Sequence, residues 1–591
     1  MFVSPIAFLR ISVTIHRIVR RSGNSQVGNL HPNPVLNRIF AVRGIADPVE
    51  LDVSLGLILP PSSLGDIGKA TARLRQALEV GEAITIVGDF DADGATSTAL
   101  AVSALIAMGA ARVDYAIPTR GRDGYGLSAD IVDDAAKRGT TLIVTVDNGV
   151  AAHRGIEHAT ECGVDVIVTD HHLPGESLPE PVALVNPNLH GDTFPSKHLA
   201  GVGVTFYVMA ALRSELRHAK WFDGRGLEEP NLAEWLDLVA VGTVADLVPL
   251  DANNRRLVEQ GLRRIRAGKC RPGISALIAF GRRPQADIVA SDLAFSVAPR
   301  LNAAGRLDDM ARGVNCLLST SADSARELAQ TLDNLNQERR VIETQMRDSA
   351  DIAVQRLQAN GRELPAGLCL HHPEWHPGVV GILAGRIKDR HHKPTVAFAA
   401  ADGGKLVGSA RSIQGLHIRD ALAEIAHTHP DMIERFGGHA MAAGLTIPAP
   451  MLGEFERLFA NLVEAKLGED TGVRELWSDG PLQEPDFSLD LAKALRFAAP
   501  WGQEFPEPVF DGEFNVLRSR VVGERHLQLD LAQDNSSQAL SAIAFGQADH
   551  HGMSRAHVLF RLEINHFRGR DTLQLNISHL QAIEPSAGTA D

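Results

Sequence analysis

The chain has 591 residues, of which 44% are hydrophobic and 22% are charged. This length and composition predict several globular domains and exclude a largely disordered or fibrous protein. The formal net charge of −14 excludes a protein that coats nucleic acid or an anionic membrane through its overall field, although it permits a locally basic groove. Because the sequence lacks a run of about 18 apolar residues, we expect no transmembrane helix and no membrane partner.

The N-terminal segment and the cysteines indicate where the protein acts. Residues 1–45 begin with an apolar stretch that Arg10 interrupts, and the basic residues follow this stretch instead of preceding it as in a signal peptide. We interpret residues 1–45 as an unassigned extension, either disordered or upstream of the true start of translation. The cysteines predict neither a disulfide framework nor a paired-cysteine zinc motif and favour the reducing cytoplasm. The four cysteines lie far apart in the sequence, at Cys162, Cys270, Cys316 and Cys369.

The hydrophobic patterns divide the rest of the chain into four regions. From about residue 83 to 250, short β-branched segments alternate with helical patterns, which predicts a parallel sheet covered by helices. Segment 322–358 carries apolar side chains at helical spacing without glycine or proline, which predicts one long connecting helix. A second α/β region follows, and from about residue 505 alternating strands predict a small β-barrel of the OB type. We therefore expect an α/β multidomain protein with boundaries at 46–320, 321–360, 361–465 and 466–591.

Carboxylates follow three of the predicted strands of the first region, and one more follows LVAVGTVA. In open parallel sheets the ligand site lies outside the carboxyl ends of the strands, so these groups are expected to converge. At least six acidic or imidazole groups at one edge repel each other unless cations neutralise the charge. The groups are Asp89, Asp91, Asp93, Asp147, Asp170, His171, His172 and Asp246.

The chemistry of this cluster favours two metal ions. Oxygen ligands with one or two imidazoles suit Mn²⁺ or Mg²⁺ better than thiolate-binding metals. Two such ions that share a bridging carboxylate perform in-line phosphoryl chemistry. A single Asp after a strand is more often a helix cap or a turn former, but that alternative explains the whole set poorly.

Four motifs of this region resemble the DHH phosphoesterase superfamily. They are VGDFDADGATST at 87–98, TVDNG at 145–149, TDHHLPG at 169–175 and TVADLVPL at 243–250. Over roughly residues 50 to 582 the chain is also similar to the bacterial single-strand-specific exonucleases of this superfamily. The resemblance implies a 5′→3′ exonuclease of single-stranded DNA that releases 5′-mononucleotides in recombination and repair. It also implies that 46–320 is a DHH domain and that 361–465 is a DHH-associated domain.

The resemblance implies roles for the clustered residues. Asp89, Asp91 and Asp147 would hold one divalent cation, and Asp93, Asp147, His171 and Asp246 the other, with Asp147 bridging. Asp170 is expected to orient the imidazole of His171, because metal-bound imidazoles usually donate their other N–H to a carboxylate or carbonyl. His172 is expected to point toward the scissile phosphate as a hydrogen-bond donor or acid. A capping or packing role is the alternative for His172.

A 5′-phosphate pocket follows from the same resemblance, because arginine forks bind phosphate through two hydrogen bonds. We expect it to contain Arg120, Arg300, Arg306, Ser409 and Arg411. The GGHxxAAG motif at 437–444 contributes His439, and its glycines permit close approach of phosphate to the backbone. The alternatives are surface ion pairs for the arginines and tight strand-on-helix packing for the glycines.

Strand selectivity and polarity are expected from the arrangement of the domains. A clamped terminal phosphate would impose a 5′ start, and a channel between the two α/β domains, spanned by the long helix, would exclude a duplex. The barrel would supply an entry platform of aromatic and basic residues at His566, Phe567, Arg568 and Arg570. A solvated hairpin tip explains these four residues almost equally well.

Three rival functions are alternatives to this interpretation, and the first of them would use the same metal cluster. They are a small-substrate phosphodiesterase or pyrophosphatase, a non-catalytic DNA-binding scaffold and an RNA-directed exonuclease, since contacts to a 2′-hydroxyl are not legible in the sequence. Loss of metal-binding positions would be expected in a scaffold, and none is lost here. The resemblance further implies a single-strand-binding protein and a RecQ-type helicase as partners, and association with the nucleoid during action. We expect a monomer.

Overall fold

A computed structural model describes residues 15–22, 28–119, 126–359, 363–468, 473–534, 536–567 and 569–583, without the side chains of Ile15, Val473 and Phe567. The chain forms two compact units. The large unit comprises 18–333 and the described residues from 477 onward, and the small unit comprises 334–476 with the described residues before 18. No helix among the described residues is long and apolar enough to cross a membrane.

The large unit is built on a parallel five-stranded sheet. The first elements are β1 (Ile15–Arg20), α1 (Pro34–Val42) and α2 (Ile67–Val80). The sheet strands are β2 (Ala83–Val87), β3 (Arg112–Ala116), β4 (Leu142–Val146), β5 (Asp165–Thr169) and β6 (Ala183–Val185), in the order β3-β2-β4-β5-β6. Strands β2 and β4 read AITIV and LIVTV and are almost wholly buried, as expected for a sheet covered on both faces. All strand pairs are parallel, so the carboxyl ends of β2, β4 and β5 meet at one edge.

Helices cover this sheet and extend the unit. Those that alternate with the strands are α3 (Ala92–Ala107), α4 (Ala129–Lys137), α5 (His153–Glu161) and α6 (Gly201–His218). The following helices are α7 (Trp221–Arg225), α8 (Leu236–Ala245), α9 (Ala252–Arg266), α10 (Pro272–Phe280), α11 (Ala290–Asp292), α12 (Ala298–Leu307) and α13 (Ala311–Leu318). Helix α14 (Ala322–Leu357) is one continuous element of 36 residues that leads from the large unit into the small unit.

The small unit contains a mixed five-stranded sheet, the C-terminal part of α14 and three further helices. Its elements are β7 (Leu368–His371), α15 (Val380–His391), β8 (Thr395–Ala401), β9 (Lys405–Arg411), α16 (Ile418–Thr428), β10 (Arg435–Gly438), β11 (Ala442–Pro448) and α17 (Leu452–Leu467). The strand order is β10-β11-β9-β8-β7, in which only β7 and β8 are parallel. Phe398, Phe455 and Phe459 are fully buried in its core. Helix α17 extends past the predicted domain boundary between 465 and 466, because its apolar face packs on this core to the end.

A closed barrel completes the large unit. It follows β12 (Val473–Ser478) and α18 (Leu489–Phe497) and consists of β13 (Phe510–Val522), β14 (His526–Ala532), β15 (Leu540–Ala544), β16 (Arg555–Phe567) and β17 (Arg570–Ala582). The strand order β13-β14-β15-β17-β16 closes on itself and is the order of an OB barrel. The predicted fold class is therefore confirmed: a parallel-sheet domain, a long connecting helix, a second α/β domain and a C-terminal barrel.

The prediction that residues 1–45 form a disordered extension is wrong for the part that the structure describes. Strand β1 pairs with β12, and α1 buries Phe40 against the ring of Trp501 at a centroid distance of 6.0 Å. Arg43 forms two hydrogen bonds with the buried carboxylate of Asp479. The segment owes its order to these contacts with residues more than 400 positions away, which its own composition does not reveal.

Candidate metal centre and active site

The loop after β2 and the first turn of α3 present two carboxylates that are fixed by helix N-termini. Asp91 caps α3, because its Oδ1 accepts the backbone N–H groups of Asp93 at 2.9 Å and Gly94 at 3.1 Å. The carboxylate of Asp93 is buried and accepts the N–H groups of Gly201 at 2.6 Å and Val202 at 3.0 Å, where α6 begins. Asp91 and Asp93 therefore keep fixed positions and carry their negative charge where two helix dipoles favour it.

Asp147 follows β4 and has an unusual backbone. Its φ angle is +62°, a left-handed conformation that few residues other than glycine adopt. A Cβ atom on Gly201 would lie 2.5 Å from the Cβ of Asp147, so α6 approaches this residue as closely as it does only because position 201 is glycine. The strained backbone and the close helix place the 2%-exposed Asp147 at the centre of the cluster.

His171 and Asp246 complete the cluster from β5 and from the end of α8. The Nε2 atom of His171 lies 3.1 Å from Oδ1 of Asp147 and 3.5 Å from Oδ2 of Asp246. This Nε2 atom is buried and makes no hydrogen bond within the described part of the chain. A buried nitrogen that faces two carboxylates without a hydrogen bond suits coordination of a cation between them.

The six positions predicted as metal ligands lie in two adjacent groups. Donor atoms of Asp89, Asp91 and Asp147 lie within 4.8 Å of one another, and so do those of Asp93, His171 and Asp246. Asp147 and His171 connect the groups through their 3.1 Å contact. The structure thus brings together residues from separate chain segments into an oxygen-rich set with one imidazole, which fits Mn²⁺ or Mg²⁺.

The electrostatics of this cluster call for positive charge. Burial and the charge of Asp246 raise the pKa of Asp93 to about 7, and burial and the charge of Asp91 raise the pKa of Asp246 to about 7. Burial and the neighbouring carboxylates also raise the pKa of Asp147 well above its usual range. Burial lowers the pKa of His171, so its imidazole is neutral and able to act as a ligand. Divalent cations would remove the repulsion that causes the raised carboxyl pKa values.

Asp170 and His172 form a separate ion pair beside the cluster. The Oδ1 atom of Asp170 lies 2.7 Å from Nδ1 of His172. Burial alone would raise the pKa of Asp170, but the charge and hydrogen bond of His172 lower it to about 2. Burial alone would lower the pKa of His172, but Asp170 raises it to about 9. His172 is therefore an imidazolium at neutral pH.

The expectation that Asp170 orients the imidazole of His171 needs correction. His171 contacts this carboxylate through its backbone N–H at 2.7 Å, whereas the bonded imidazole belongs to His172. The two histidines are adjacent, and the turn after β5 directs the ring of His171 toward Asp147 and Asp246. Only one ring can then reach Asp170.

Three asparagines that the sequence analysis did not select hold the backbone of the site. Asn186 donates to the carbonyl of His172 and Asn188 to the carbonyl of His171. Asn302 on α12 accepts the N–H of Ala92 at 2.8 Å, between the two helix-fixed aspartates. The signal for the first two was their position after β6, at the same sheet edge, in the segment VALVNPN.

Comparisons with known proteins agree with this geometry. Models of three families match: the N-terminal domain of the DHH family at residues 83–243, the DHHA1 domain at 352–467 and the RecJ OB domain at 478–579. The single-stranded-DNA-specific exonuclease RecJ of Dickeya dadantii (strain 3937) is 53% identical over 550 residues, 92% of this chain and 96% of that protein. The protein of the same name from Escherichia coli (strain K12) is 51% identical over 554 residues, with 93% and 96% covered.

The chain belongs to the RecJ family. Among solved structures, RecJ in complex with Mn²⁺ from Thermus thermophilus has a TM-score of 0.79 at 30% identity, with 97% of this chain and 80% of that chain covered. RecJ in complex with Mg²⁺ from the same organism has a TM-score of 0.73 at 29% identity, with 97% and 79% covered. These matches confirm both predicted resemblances, the one to the DHH superfamily and the one to its single-strand-specific exonucleases.

One predicted phosphate ligand of this RecJ-family chain is a structural residue. The guanidinium of Arg300 is buried and donates to the carboxylate of Asp333 at 2.8 Å and to the carbonyls of Ser296 and Phe280. Because these partners occupy the guanidinium within the protein, Arg300 is not available to a 5′-phosphate, and the prediction for this residue is wrong. Arg306 is half-buried on α12, directly after Gly305, which abuts the carbonyl of Phe90. Arg120 lies outside the described residues.

The other predicted phosphate ligands lie together in the small unit. A Cβ atom on Gly381, in the first turn of α15, would lie 2.9 Å from Nη2 of Arg411 and 3.0 Å from Oγ of Ser409. These two side chains therefore flank a helix N-terminus, where backbone N–H groups favour anions. His439 is exposed in the β10–β11 turn, next to the strand that pairs with β9.

The glycines of the GGHxxAAG motif are only partly explained by packing. A Cβ atom on Gly438 would lie 2.4 Å from the carbonyl oxygen of Ala442, and its φ angle is +142°, so the turn itself requires this glycine. Gly437 and Gly444 are exposed and cross-strand partners, and an added Cβ would meet nothing closer than 4.0 Å. Their missing side chains leave bare backbone on the surface, which suits close approach of a ligand.

The predicted platform on the RecJ OB barrel is described only in part. Arg570 is exposed at the β16–β17 turn, whereas Arg568 and the side chain of Phe567 lie outside the description. The Nδ1 atom of His566 lies at hydrogen-bond distance, 2.6 Å, from Oδ1 of Asp571, which fits the solvated hairpin tip.

A second basic and aromatic surface, which the sequence patterns did not predict, lies on β13, β14 and the residue that follows β15. Arg518 and Arg520 are exposed on β13, and Arg520 pairs with Gln528 across to β14. The 57%-exposed Phe545 packs edge-on against His526 at 5.2 Å. The alternating arginines in NVLRSRVV could have indicated this surface, but the sequence does not show that this face of β13 is exposed.

Proposed function

We propose that this chain is a metal-dependent exonuclease that degrades single-stranded DNA from its 5′ end and releases 5′-mononucleotides in recombination and repair. The observation that carries the proposal is the complete carboxylate and imidazole cluster at the sheet edge of a RecJ-family chain. Its relatives are named single-stranded-DNA-specific exonucleases, and complexes of one relative with Mn²⁺ and Mg²⁺ are known.

The metal ligands divide into two groups. Asp89, Asp91 and Asp147 would hold one divalent cation, and Asp93, His171 and Asp246 the other, with Asp147 shared. When bound, two such ions activate water and neutralise charge on the phosphate oxygens. The raised carboxyl pKa values and the buried Nε2 atom of His171 support this occupancy.

His172 contributes a positive hydrogen-bond donor. Its Nδ1–H is held by Asp170 at 2.7 Å, so a proton given to a phosphate oxygen or a leaving group comes from Nε2. The carboxylate keeps the ring charged and fixes its direction, in the manner of an acid group behind a catalytic histidine. We propose His172 as the group that contacts the scissile phosphate and Asp170 as the residue that positions it.

The terminal phosphate is proposed to bind the small unit. Ser409 and Arg411 flank the first turn of α15, the bare backbone of Gly437 and Gly444 lies on neighbouring strands, and His439 lies in the turn that joins those two strands. Backbone N–H groups, a hydroxyl and a guanidinium together suit a terminal phosphate, which offers more unshared oxygens than an internal one. An enzyme that requires this group must begin at a 5′ end. Arg306 is a further candidate in the large unit.

The OB barrel is proposed to guide the strand. The exposed arginines on β13 can attract the phosphate backbone of the strand, and the ring of Phe545 offers a surface on which a base can stack. OB barrels bind single strands through these two kinds of contact. A phosphohydrolase for small substrates has no use for this barrel, so the barrel favours a polymer. We further propose a cytoplasmic, nucleoid-associated monomer that acts with a single-strand-binding protein and a RecQ-type helicase.

The decisive experiment compares end-labelled DNA substrates with Mn²⁺ and with EDTA. We expect metal-dependent release of mononucleotides from the 5′ end of single-stranded DNA, no attack on blunt duplex, and loss of activity in Asp91→Ala. Asp134→Asn removes an exposed carboxylate of α4 and serves as the matched control. Release from the 3′ end, equal attack on duplex, or cleavage of dinucleotides alone would overturn the proposal. An RNA strand of the same sequence tests whether the sugar matters.

A further inference from the structure

A second cluster of metal-binding side chains lies away from the catalytic edge, on the surface of the large unit. Asp133 on α4, His158 on α5 and Cys162 at the end of α5 bring an oxygen, a nitrogen and a sulfur atom within 4.8 Å of one another. His158 and Cys162 are four residues apart, so successive turns of one helix place them on the same face. Neither the proposed exonuclease activity nor the carboxylate and imidazole cluster at the sheet edge uses these residues.

The distances converge on one nitrogen atom. The Nε2 atom of His158 lies 2.7 Å from Oδ1 of Asp133 and 3.7 Å from Sγ of Cys162. In a tetrahedral zinc site, bond lengths of about 2.0 Å to nitrogen and about 2.3 Å to sulfur separate those two ligands by about 3.5 Å. The observed spacing between nitrogen and sulfur therefore matches a tetrahedral site to within about 0.2 Å, and the nitrogen–oxygen spacing of 2.7 Å would widen by about 0.6 Å to admit the ion.

A fourth residue orients the imidazole. The Nδ1 atom of His158 lies 3.4 Å from Oε2 of Glu161, on the side of the ring opposite the cluster. Metal-bound histidines usually donate their second N–H to a carboxylate in this way. The carboxylates of Asp133 and Glu161 raise the pKa of His158 through hydrogen bonds when no metal is bound. An incoming cation takes the place of the Nε2 proton.

We propose that Asp133, His158 and Cys162 form a binding site for Zn²⁺ or a similar thiolate-preferring ion, with Glu161 orienting the histidine. A thiolate with an imidazole selects such metals, in contrast to the oxygen-rich set at the sheet edge, which suits Mn²⁺ or Mg²⁺. Binding releases the thiol proton and the Nε2 proton to solvent and leaves the fourth coordination position to water. Since its ligands come from two helices, the ion ties α4 to α5.

The test uses the accessibility of the cysteines. Cys162 is exposed, whereas Cys316 is buried and Cys270 and Cys369 are half-buried. A thiol reagent such as DTNB should therefore label Cys162 first in the folded, full-length protein, and Cys162→Ser identifies this phase by its loss. We expect Zn²⁺ in excess over the two cation positions of the sheet edge to slow the labelling at least about tenfold, because a metal-bound thiolate is shielded from the reagent.

Variants of the other ligands decide between a built site and a lone thiol. Asp133→Asn and His158→Ala should still be labelled at Cys162 but should lose the protection by zinc, and Asp134→Asn should keep it. Co²⁺ should give a thiolate charge-transfer absorption in the wild type that is absent in Cys162→Ser. Protection that is equal in all variants, or absent in the wild type, would overturn the proposal. Neither readout depends on exonuclease activity.

Discussion

The Oδ1 atom of Asp170 lies 2.7 Å from Nδ1 of His172 and also accepts the backbone N–H groups of His171 and His172. One carboxylate thus fixes the turn after β5 and keeps an imidazole charged. The other oxygen accepts the N–H of Val150 at 2.9 Å, which ties the turn after β4 to the turn after β5. The pair is therefore held from two strands of the sheet, next to the cluster.

Asp170→Asn should impair catalysis while leaving metal binding intact. The pKa of His172 falls in this variant, because burial then acts without the opposing carboxylate. We expect kcat to fall by about 100-fold and Mn²⁺ affinity to change by less than about threefold, as for the loss of a positioned acid. Single-turnover digestion and Mn²⁺ titration measure the two quantities. A variant with the kcat of the wild type would show that Asp170 does not position His172 for catalysis.

Asp93→Asn should change how the stability of the metal-free protein depends on pH. Because the pKa of Asp93 is raised to about 7, the folded state binds a proton that the unfolded chain releases near pH 4. Stability of the EDTA-treated wild type should therefore fall as pH rises from about 4 to about 7, and Mn²⁺ should restore more stability at the higher pH. Melting temperatures with and without Mn²⁺ test this.

The control for this experiment is Asp134→Asn, which removes an exposed carboxylate from the same unit. It should keep the slope of the wild type, whereas Asp93→Asn should flatten it. Equal slopes in all three proteins would contradict the view that repulsion within the cluster limits the metal-free fold.

The sequence predicted the position of the metal cluster because parallel strands end at one edge, so Asp91, Asp147 and His171 had to meet. It did not reveal which neighbouring imidazole Asp170 would bind, because that depends on ring directions within a single turn. The role of Arg300 was also hidden. Its partner Asp333 lies 33 positions later on another helix, and no local pattern links the two residues.

Arg300→Met should destabilise the protein without changing its preference for 5′-phosphorylated ends. The substitution removes the guanidinium that neutralises the buried carboxylate of Asp333, and loss of one member of a buried ion pair typically costs about 3–5 kcal/mol of unfolding free energy. The double variant Arg300→Met, Asp333→Leu should recover most of this loss, because the buried carboxylate is removed together with the guanidinium. Urea denaturation measures the stability, and rates on 5′-phosphate and 5′-hydroxyl strands measure the preference. A lost preference in a stable double variant would return Arg300 to the phosphate pocket.

Arg411→Ala should weaken recognition of the 5′-phosphate at the end of the substrate. Loss of a charge-assisted hydrogen bond to phosphate costs about 1.5–3 kcal/mol, so we expect kcat/KM on 5′-phosphorylated DNA to fall by about 10- to 100-fold. The rate on 5′-hydroxyl DNA should change by less than about threefold, because that substrate lacks the group. Lys405→Ala, on the same strand but paired with Glu434, is the matched control. Equal losses on both substrates would exclude a terminal-phosphate contact.

Asp511→Asn should weaken the barrel and reduce its sensitivity to acid. The buried carboxylate accepts hydrogen bonds from Arg20, Ser478 and His557, and these bonds lower its pKa despite burial. A lowered folded pKa contributes stability that is present above the unfolded value near pH 4 and is lost as pH falls. At neutral pH the variant should lose about 1.5–3 kcal/mol, the usual worth of charged hydrogen bonds.

The wild type should therefore lose stability more steeply than Asp511→Asn as pH falls below about 5, so that the two curves converge in acid. Asp549→Asn removes an exposed carboxylate of the same domain and should follow the wild type throughout. Denaturant unfolding at a series of pH values measures the three curves. Parallel curves for the wild type and Asp511→Asn would mean that this carboxylate does not link the N-terminal strand to the barrel through its charge. Converging curves would show that the charge of Asp511, which Arg20 of β1 contacts, stabilises the fold.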